Sequence, residues 1–249
     1  MSAVSFRRFS IVVPVYNERA TVGPLLDLVL AAPLPGGLEK EVIIVVGRST
    51  DGTESVVAGY EKRPGVKVVY EDAPRGKGAA VRTGLALVTG DLVIVQDGDL
   101  EYKPEEYPKV LAPLLAGECE IVFGSRVLAH PQQWQFRRFG GFERIYGLFV
   151  NFGGVLFTTM FNVLYGTALS DGATMYKIFR AADVKGITLR SDGFDYDWEI
   201  SAKLARKGLR FGEVPVAYKA RSRAEGKKIR FWRDGTRVLL AILRYRFLD

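Results

Sequence analysis

A chain of 249 residues, 48% apolar and 25% charged, can bury a substantial core and has the make-up of an ordinary globular protein. Its formal net charge of +7 suits an anionic partner (nucleotide, membrane surface or nucleic acid) or a solvated basic surface. Aromatic-interleaved basic repeats and zinc-finger spacings are absent, which counts against nucleic acid, and the single cysteine, Cys119, excludes an intrachain disulfide and suits a reducing compartment.

The opening MSAVSFRRFSIVV lacks the long apolar segment and cleavage site of a signal peptide. Strands are expected at Phe9–Tyr16, Glu41–Val46, Val66–Glu71, Asp91–Asp97 and Glu120–Gly124. Between them, helices are expected around Thr21–Ala32, Thr53–Tyr60, Lys77–Val88 and Pro104–Leu115. This alternation predicts an α/β fold with a mostly parallel sheet covered on both faces. Right-handed crossovers then bring the strand ends, and the site, to one edge.

The first strand ends in VPVYNE, where Pro14 is expected to stop the ladder. Tyr16, Asn17 and Glu18 then reach the sheet edge, and a ring with amide and carboxylate partners can grip a base and ribose. In APRGKGAAVRTGL, glycines flank Lys77 at a helix start, resembling a phosphate loop without its full pattern. The strongest local signal is VIVQDGDLEY, which delivers Asp97 and Asp99 together at a strand end with Gly98 between them. Two carboxylates this close repel, so a divalent cation is a natural partner. Such oxygen ligands suit Mg²⁺ or Mn²⁺, completed by phosphate and water. A pair of solvated turn aspartates is the alternative, disfavoured by the apolar strand before them.

Past Gly124, Arg126, Arg137, Arg138 and Arg144 are scattered through a polar stretch in which His130, the only histidine, reads as a loop residue. Ile145–Ser170 then carries no charge in 26 residues, long enough to consider a membrane span. Gly147, Asn151, Gly154, Thr158, Asn162 and Gly166 recur at spacings of three and four, a small polar face suited to packing on protein. A single crossing would carry the later polar segments away from the sheet edge. An interfacial helix or a broken helical pair is therefore favoured. Asp171 opens DGATMYKIFR, and Asp197 and Glu199 sit in DGFDYDWEISAKLARKG, where they either cap and solvate a helix or act as bases. A strand at Leu209–Ala220, a basic loop at Arg221–Arg230 and a closing helix in WRDGTRVLLAILRYRF complete the chain. For that last helix, lipid docking and ordinary packing are both open.

VVPVYNE, STDGT, RGKGAAVRTGL, GDLVIVQDGDLEYKPEE, FGSR, SDGATMYKIFR and YKARSRAEGKKI, in this order, resemble the family 2 glycosyltransferases of the GT-A fold. The likeness is greatest to the polyprenyl-phosphate sugar synthases related to dolichyl-phosphate mannose synthase, and covers about residues 8–235. The resemblance implies nucleoside binding by Pro14, Tyr16, Asn17 and Glu18, and a metal and diphosphate motif at Asp97, Gly98 and Asp99 with Mg²⁺ or Mn²⁺. It implies donor- or acceptor-phosphate roles for Arg126, Arg221 and Lys227, an acceptor-side role for Asp171, and a membrane-facing acceptor region in the apolar helices. Lacking the further C-terminal transmembrane helices of some relatives, the chain is expected to sit peripherally on the cytoplasmic face of a membrane. Residues 1–235 are expected to form one domain, with a nucleotide-binding half over about 1–100 and an acceptor half over 101–235 containing the apolar segment 145–170. Residues 229–249 are expected to form an amphipathic helix.

The implied reaction is an inverting, metal-dependent transfer of a hexose from a GDP- or UDP-sugar to polyprenyl phosphate. The acceptor is already anionic and needs no base; a lipid or saccharide hydroxyl would need one, for which Asp197 and Glu199 are the candidates. A third reading is a binding module that has lost activity. Its basis is the turn after the second strand, where the family's acidic pair falls on Val46 and Gly47, with Arg48 in place of glycine. Arg48 either meets donor phosphate or base, or faces solvent.

Overall fold

The computed structural model describes residues 6–130, 143–221 and 231–249. Arg137, Arg138 and Lys227, singled out in the sequence, lie outside the described residues. Seven strands form one sheet: β1 (Arg8–Val15), β2 (Glu39–Val46), β3 (Val66–Tyr70), β4 (Leu92–Val95), β5 (Ile121–Ser125), β6 (Lys177–Arg180) and β7 (Phe211–Pro215), in the order β3-β2-β1-β4-β6-β5-β7. All neighbours are parallel except β6, which runs antiparallel to both β4 and β5.

Both faces of the sheet are covered, which is why its central strands read as unbroken apolar runs. Alternate residues Phe9, Ile11 and Val13 of β1 pack with Leu25 and Leu26 of α1 (Val22–Ala31) and Val110 and Leu111 of α4 (Tyr107–Leu115). Val57 of α2 (Thr53–Ala58) joins the same core. Val12, Ile43 and Val45 point the other way. They pack beneath α3 (Lys77–Leu85), α5 (Glu143–Tyr165), α6 (Ala181–Val184), α7 (Tyr196–Arg206) and α8 (Phe231–Phe247), which contribute Ala80, Phe161, Val184, Trp198 and Ile242.

Two strand ends differ from the sequence expectation. Pro14 does not stop the ladder: β1 runs on to Val15, in register with Val46 of β2. The carbonyls of Arg8 and Val12 accept from Asp91 and Gln96, so the even-numbered residues of β1 turn their polar groups toward β4. Pairing with β4 ends at Val12, so the missing N–H of Pro14 forfeits no ladder bond. β4 itself stops at Val95, and the buried Gln96 side chain just beyond it accepts the hydroxyl protons of Tyr107 and Tyr176, each at 2.8 Å. Asp97 and Asp99 therefore leave the sheet from a pinned residue.

α5 is one unbroken helix, not a pair. Its small face does meet protein: Gly147, Asn151 and Thr158 are buried, and Thr158 Oγ1 accepts the Gly172 N–H at 3.0 Å. The segment Gly147–Tyr165 has a mean hydropathy of 1.5 with 22% of its most apolar window buried, long and apolar enough to cross a membrane by length and composition. Phe149, Phe152, Leu156 and Val163 stand on its exposed side. α8 lies beside it, with the Tyr165 hydroxyl donating to the Ile242 carbonyl at 2.8 Å. The inner face of α8 packs through Val238, Ile242 and Tyr245, while Leu240 and Phe247 are exposed between arginines. Packing and an outward apolar stripe thus coexist in the closing helix.

Candidate active site

The loops after β1 and β2 are stitched together before any ligand is considered. The Asn17 N–H donates to Ser49 Oγ at 3.1 Å, and Asn17 Oδ1 accepts the Thr50 N–H at 2.9 Å. The Glu18 N–H donates to Thr53 Oγ1 (2.9 Å) and the Arg19 N–H to Asp51 Oδ2 (3.1 Å). This reciprocal lacing holds Asn17 at a φ of 48°, a left-handed conformation that asparagine tolerates better than most residues. Asp51 also accepts the Thr53 N–H at 3.0 Å, so the start of α2 survives without the acidic pair expected two residues before Arg48. Tyr16 is 38% exposed, and its ring lies beside Gly47, where an added Cβ would stand 3.5 Å away. Arg48 is exposed and makes no hydrogen bond or ion pair among the described residues. An open cleft of about 390 Å³ follows, lined by Asn17, Glu18, Arg19, Ala20, Thr21, Asp51 and Arg221.

Beside this cleft, among the described residues, four carboxylates gather around Lys77 and Arg221. Lys77 pairs with Asp97. Arg221 donates through Nη1 to Glu18 at 2.9 Å and through Nη2 to Asp99 at 2.6 Å, while its backbone N–H is held by Glu101 at 2.8 Å. Burial first, then the charges of Asp97 and Glu101, push the Asp99 carboxyl up to about 7 against the pull of Arg221. The Thr21 hydroxyl lies within donating distance of the Glu18 carboxylate (2.8 Å) and the Gly98 carbonyl (3.0 Å) and gives its one proton to either, which sets the β1 loop against the Asp97–Asp99 turn. Among the described residues there is no ready-made cage of three or more metal-ligating side chains. The hard carboxylate oxygens of Asp97 and Asp99 nevertheless have the chemistry to hold Mg²⁺ or Mn²⁺.

The glycines of RGKG have a different cause from the one their pattern suggests. Gly76 has a φ of 107°, and a Cβ on it would fall 2.3 Å from the Asp192 carbonyl oxygen. A Cβ on Gly78 would fall 2.3 Å from the Ser191 carbonyl oxygen and 2.8 Å from Tyr196 Cβ. The Gly78 N–H donates to Asp192 O at 2.8 Å, and Arg82 reaches the Asp192 carboxylate at 2.5 Å. The segment is therefore a joint between the start of α3 and the loop before α7, with Lys77 aimed at Asp97 beside the rings of Phe194 and Tyr196.

Several expected phosphate and base positions are otherwise engaged. Arg126 is 3% exposed and Asp171 2%. Asp171 accepts the Arg126 Nε–H and Nη2–H, both at 2.7 Å, and the Arg126 backbone N–H at 3.0 Å. Although burial works against its charge, Asp171 holds the guanidinium well above its ordinary pKa. In this structure Arg126 thus faces Asp171 and the ring of Tyr218, at 5.1 Å, instead of an open phosphate site, and Asp171 fixes that arginine. Glu199, a candidate base, is fully buried: it accepts the N–H groups of Arg190 and Ser191 and pairs with Lys203 at 2.9 Å. Its oxygens are engaged with the loop before α7 and with Lys203. Asp197 is buried against Lys177, and burial pushes the carboxyl up and the amine down.

Sequence reasoning missed Glu101, Tyr218 and Lys177. Glu101 accepts from the Tyr218 hydroxyl at 3.0 Å as well as from the Arg221 backbone, and its carbonyl accepts the Lys219 N–H at 2.9 Å. Its place two residues after Asp99 was the only available signal.

A model described as Glycosyl transferase family 2 matches residues 10–185, from β1 to just past α6, so that Asp97 and Asp99 fall inside it and Asp197, Glu199 and Arg221 beyond it. Dodecaprenyl-phosphate galacturonate synthase of Rhizobium johnstonii is 28% identical over 224 residues, covering 88% of this chain and 61% of the relative. Dolichol-phosphate mannosyltransferase of Pyrococcus furiosus is 27% identical over 222 residues, covering 88% and 59%. The chain thus spans about half to three fifths of the length of the curated relatives it matches. Glucosyl-3-phosphoglycerate synthase from Mycobacterium tuberculosis, solved with uridine diphosphate, superposes with a TM-score of 0.68 at 21% identity, over 98% of this chain and 81% of that one. That likeness establishes the fold, the mostly parallel GT-A arrangement. On the family match over more than half its length, the chain belongs to glycosyl transferase family 2.

Proposed function

We propose that the protein moves a hexose from a GDP- or UDP-linked sugar to a polyprenyl phosphate, with inversion at the anomeric carbon and with Mg²⁺ or Mn²⁺ held by Asp97 and Asp99. The observation that carries this reading is the gathering of Glu18, Asp97, Asp99 and Glu101 around Lys77 and Arg221, beside the cleft shaped by the loops after β1 and β2. Relatives named for dodecaprenyl-phosphate and dolichol-phosphate transfer favour the polyprenyl phosphate acceptor. The M. tuberculosis synthase complexes with Mn²⁺ and uridine diphosphate favour the metal and the nucleotide.

The division of labour follows from charge. Tyr16, Asn17 and Glu18 border the nucleoside, and Gly47 leaves room beside the Tyr16 ring. The metal, when bound, neutralises the departing diphosphate. Among the described residues, Lys77 and Arg221 supply cations beside the carboxylates, and Arg48 is exposed. The phosphate acceptor carries its own nucleophilic charge, so no side chain needs to remove a proton. A peripheral position on the cytoplasmic face of a membrane, where a polyprenyl chain is embedded, is part of this reading, and the exposed apolar residues of α5 and α8 support it. Incubating the chain with a panel of nucleotide sugars and a short polyprenyl phosphate, with products weighed by mass spectrometry, tests the proposal; glycosylated polyprenyl phosphate is expected.

A hydroxyl acceptor is the second reading, and Asp197 is the observation behind it. Its raised pKa suits a base, provided that it releases Lys177. Asp197→Asn should then abolish transfer to a hydroxyl while leaving transfer to a phosphate largely intact.

A further inference from the structure

The Arg221 guanidinium sits where its charge has two uses. It forks between Glu18, at 2.9 and 3.2 Å, and Asp99, at 2.6 Å, and it also lines the cleft beside Asn17 and Asp51. Its Nε lies 4.0 Å from Glu101 and has no hydrogen-bond partner, so the fork is an imperfect fit. The backbone around it is anchored independently of the side chain. Glu101 accepts the Arg221 N–H at 2.8 Å and the Lys219 N–H through its carbonyl at 2.9 Å, and Ala217 donates to Glu106 at 2.8 Å. A side chain on an anchored backbone can change partners without unfolding the segment that carries it.

Charge decides which partner it prefers. Asp99 shares the Arg221 guanidinium with Glu18 and Glu101, so it does not have that counter-charge to itself. A divalent ion on Asp99 neutralises the cluster better than one delocalised monovalent cation and competes with the guanidinium for the same oxygens. An anion in the cleft then offers the released fork a bidentate partner.

We propose that Arg221 is a built-in counter-ion for Asp99 that a divalent cation must displace, so that metal binding and the turning of Arg221 toward an anionic ligand are one exchange. The contact with Asp99 is thus autoinhibitory toward metal. It makes metal binding weak until a diphosphate is present to receive the guanidinium, and so couples the two ligands. This inference rests on the proposed metal site at Asp97 and Asp99, but not on the acceptor or the transfer reaction.

The test measures Mn²⁺ binding to the full chain by electron paramagnetic resonance of the free ion, without sugar donor or acceptor. Arg221→Gln is expected to bind Mn²⁺ roughly 5- to 150-fold more tightly than the unaltered protein, the usual range of coupling between sites. Arg19→Gln, which removes a cation from the same cleft but not from Asp99, should change affinity far less. Equal or weaker binding by Arg221→Gln, or an equal gain in both variants, overturns the exchange while leaving the metal site standing. No binding by any of them overturns the metal site as well. Should Arg221→Gln fail to fold by circular dichroism, the unaltered protein answers. The Arg221 Nε–Hε resonance, assigned with Arg221→Lys, must shift on Mg²⁺ saturation; an unmoved resonance refutes the displacement.

Discussion

Replacing Asp171 by asparagine tests whether the Arg126–Asp171 pair is framework or ligand site. Asp171 uses both oxygens: Oδ2 accepts the Arg126 backbone N–H (3.0 Å) and Nε–H (2.7 Å), and Oδ1 accepts Nη2–H (2.7 Å). An amide has one accepting oxygen, so in either orientation its NH₂ faces a donor, and the guanidinium loses its counter-charge while 3% exposed. Breaking a buried pair from one side costs about 3–5 kcal/mol. In a domain of this size that corresponds to a melting temperature lower by roughly 6–20 °C. Replacing both partners with apolar residues, Arg126→Met with Asp171→Leu, should recover much of the loss, because desolvation of the ions goes with them. Denaturant unfolding followed by circular dichroism reads both values, and the double-mutant cycle gives the coupling. A loss below about 1 kcal/mol in Asp171→Asn, accompanied by weakened binding of donor or acceptor phosphate, would refute the framework role.

Gly78→Ala should destabilise the protein by about 1–3 kcal/mol, since the new methyl meets the Ser191 carbonyl and Tyr196 Cβ, while nucleotide affinity measured by calorimetry changes little. Asp99→Ala should abolish metal-dependent turnover and leave the far-ultraviolet circular dichroism unchanged; retained turnover removes Asp99 from the mechanism. Glu199 is pushed up by burial, but the hydrogen bonds from Ser191, Lys203 and Arg190 outweigh this and hold it below its ordinary value. A carboxylate depressed by folding stabilises above its unfolded pKa, about 4.3, and loses that contribution as pH falls through the lower folded value. Glu199→Gln should therefore be less stable than the parent at pH 7, with the gap closing in acid; a gap that persists or widens contradicts the assignment.

The strands and their order of use were legible because a strand buried on both faces must be apolar throughout, as in Val42–Val46. β6 was not. Its first residue is the buried Lys177, a charge tolerated only because Asp197, twenty residues on, pairs with it. The glycines around Lys77 were legible as a demand for close approach, but phosphate and the backbone at Ser191–Asp192 make the same demand. Arg126 carried no sign of Asp171, 45 residues away, and a guanidinium in a loop reads alike whether it faces a ligand or a buried carboxylate. Glu101 looked like one more turn carboxylate until folding brought Arg221 to it across 120 residues. Pairings of distant charges, more than local pattern, separate the observed site from the one the sequence suggests.

The central claim is that the carboxylate cluster serves hexose transfer to an acceptor that already bears a phosphate. Presenting the full chain with each nucleotide sugar, Mg²⁺ or Mn²⁺, and equal amounts of a polyprenyl phosphate and the matching polyprenol tests it most directly, with lipid products identified by mass. A hexose mass is expected on the polyprenyl phosphate alone, lost when the metal is chelated. Glycosylation of the polyprenol alone, or of the phosphate at an undiminished rate in chelator, would contradict it.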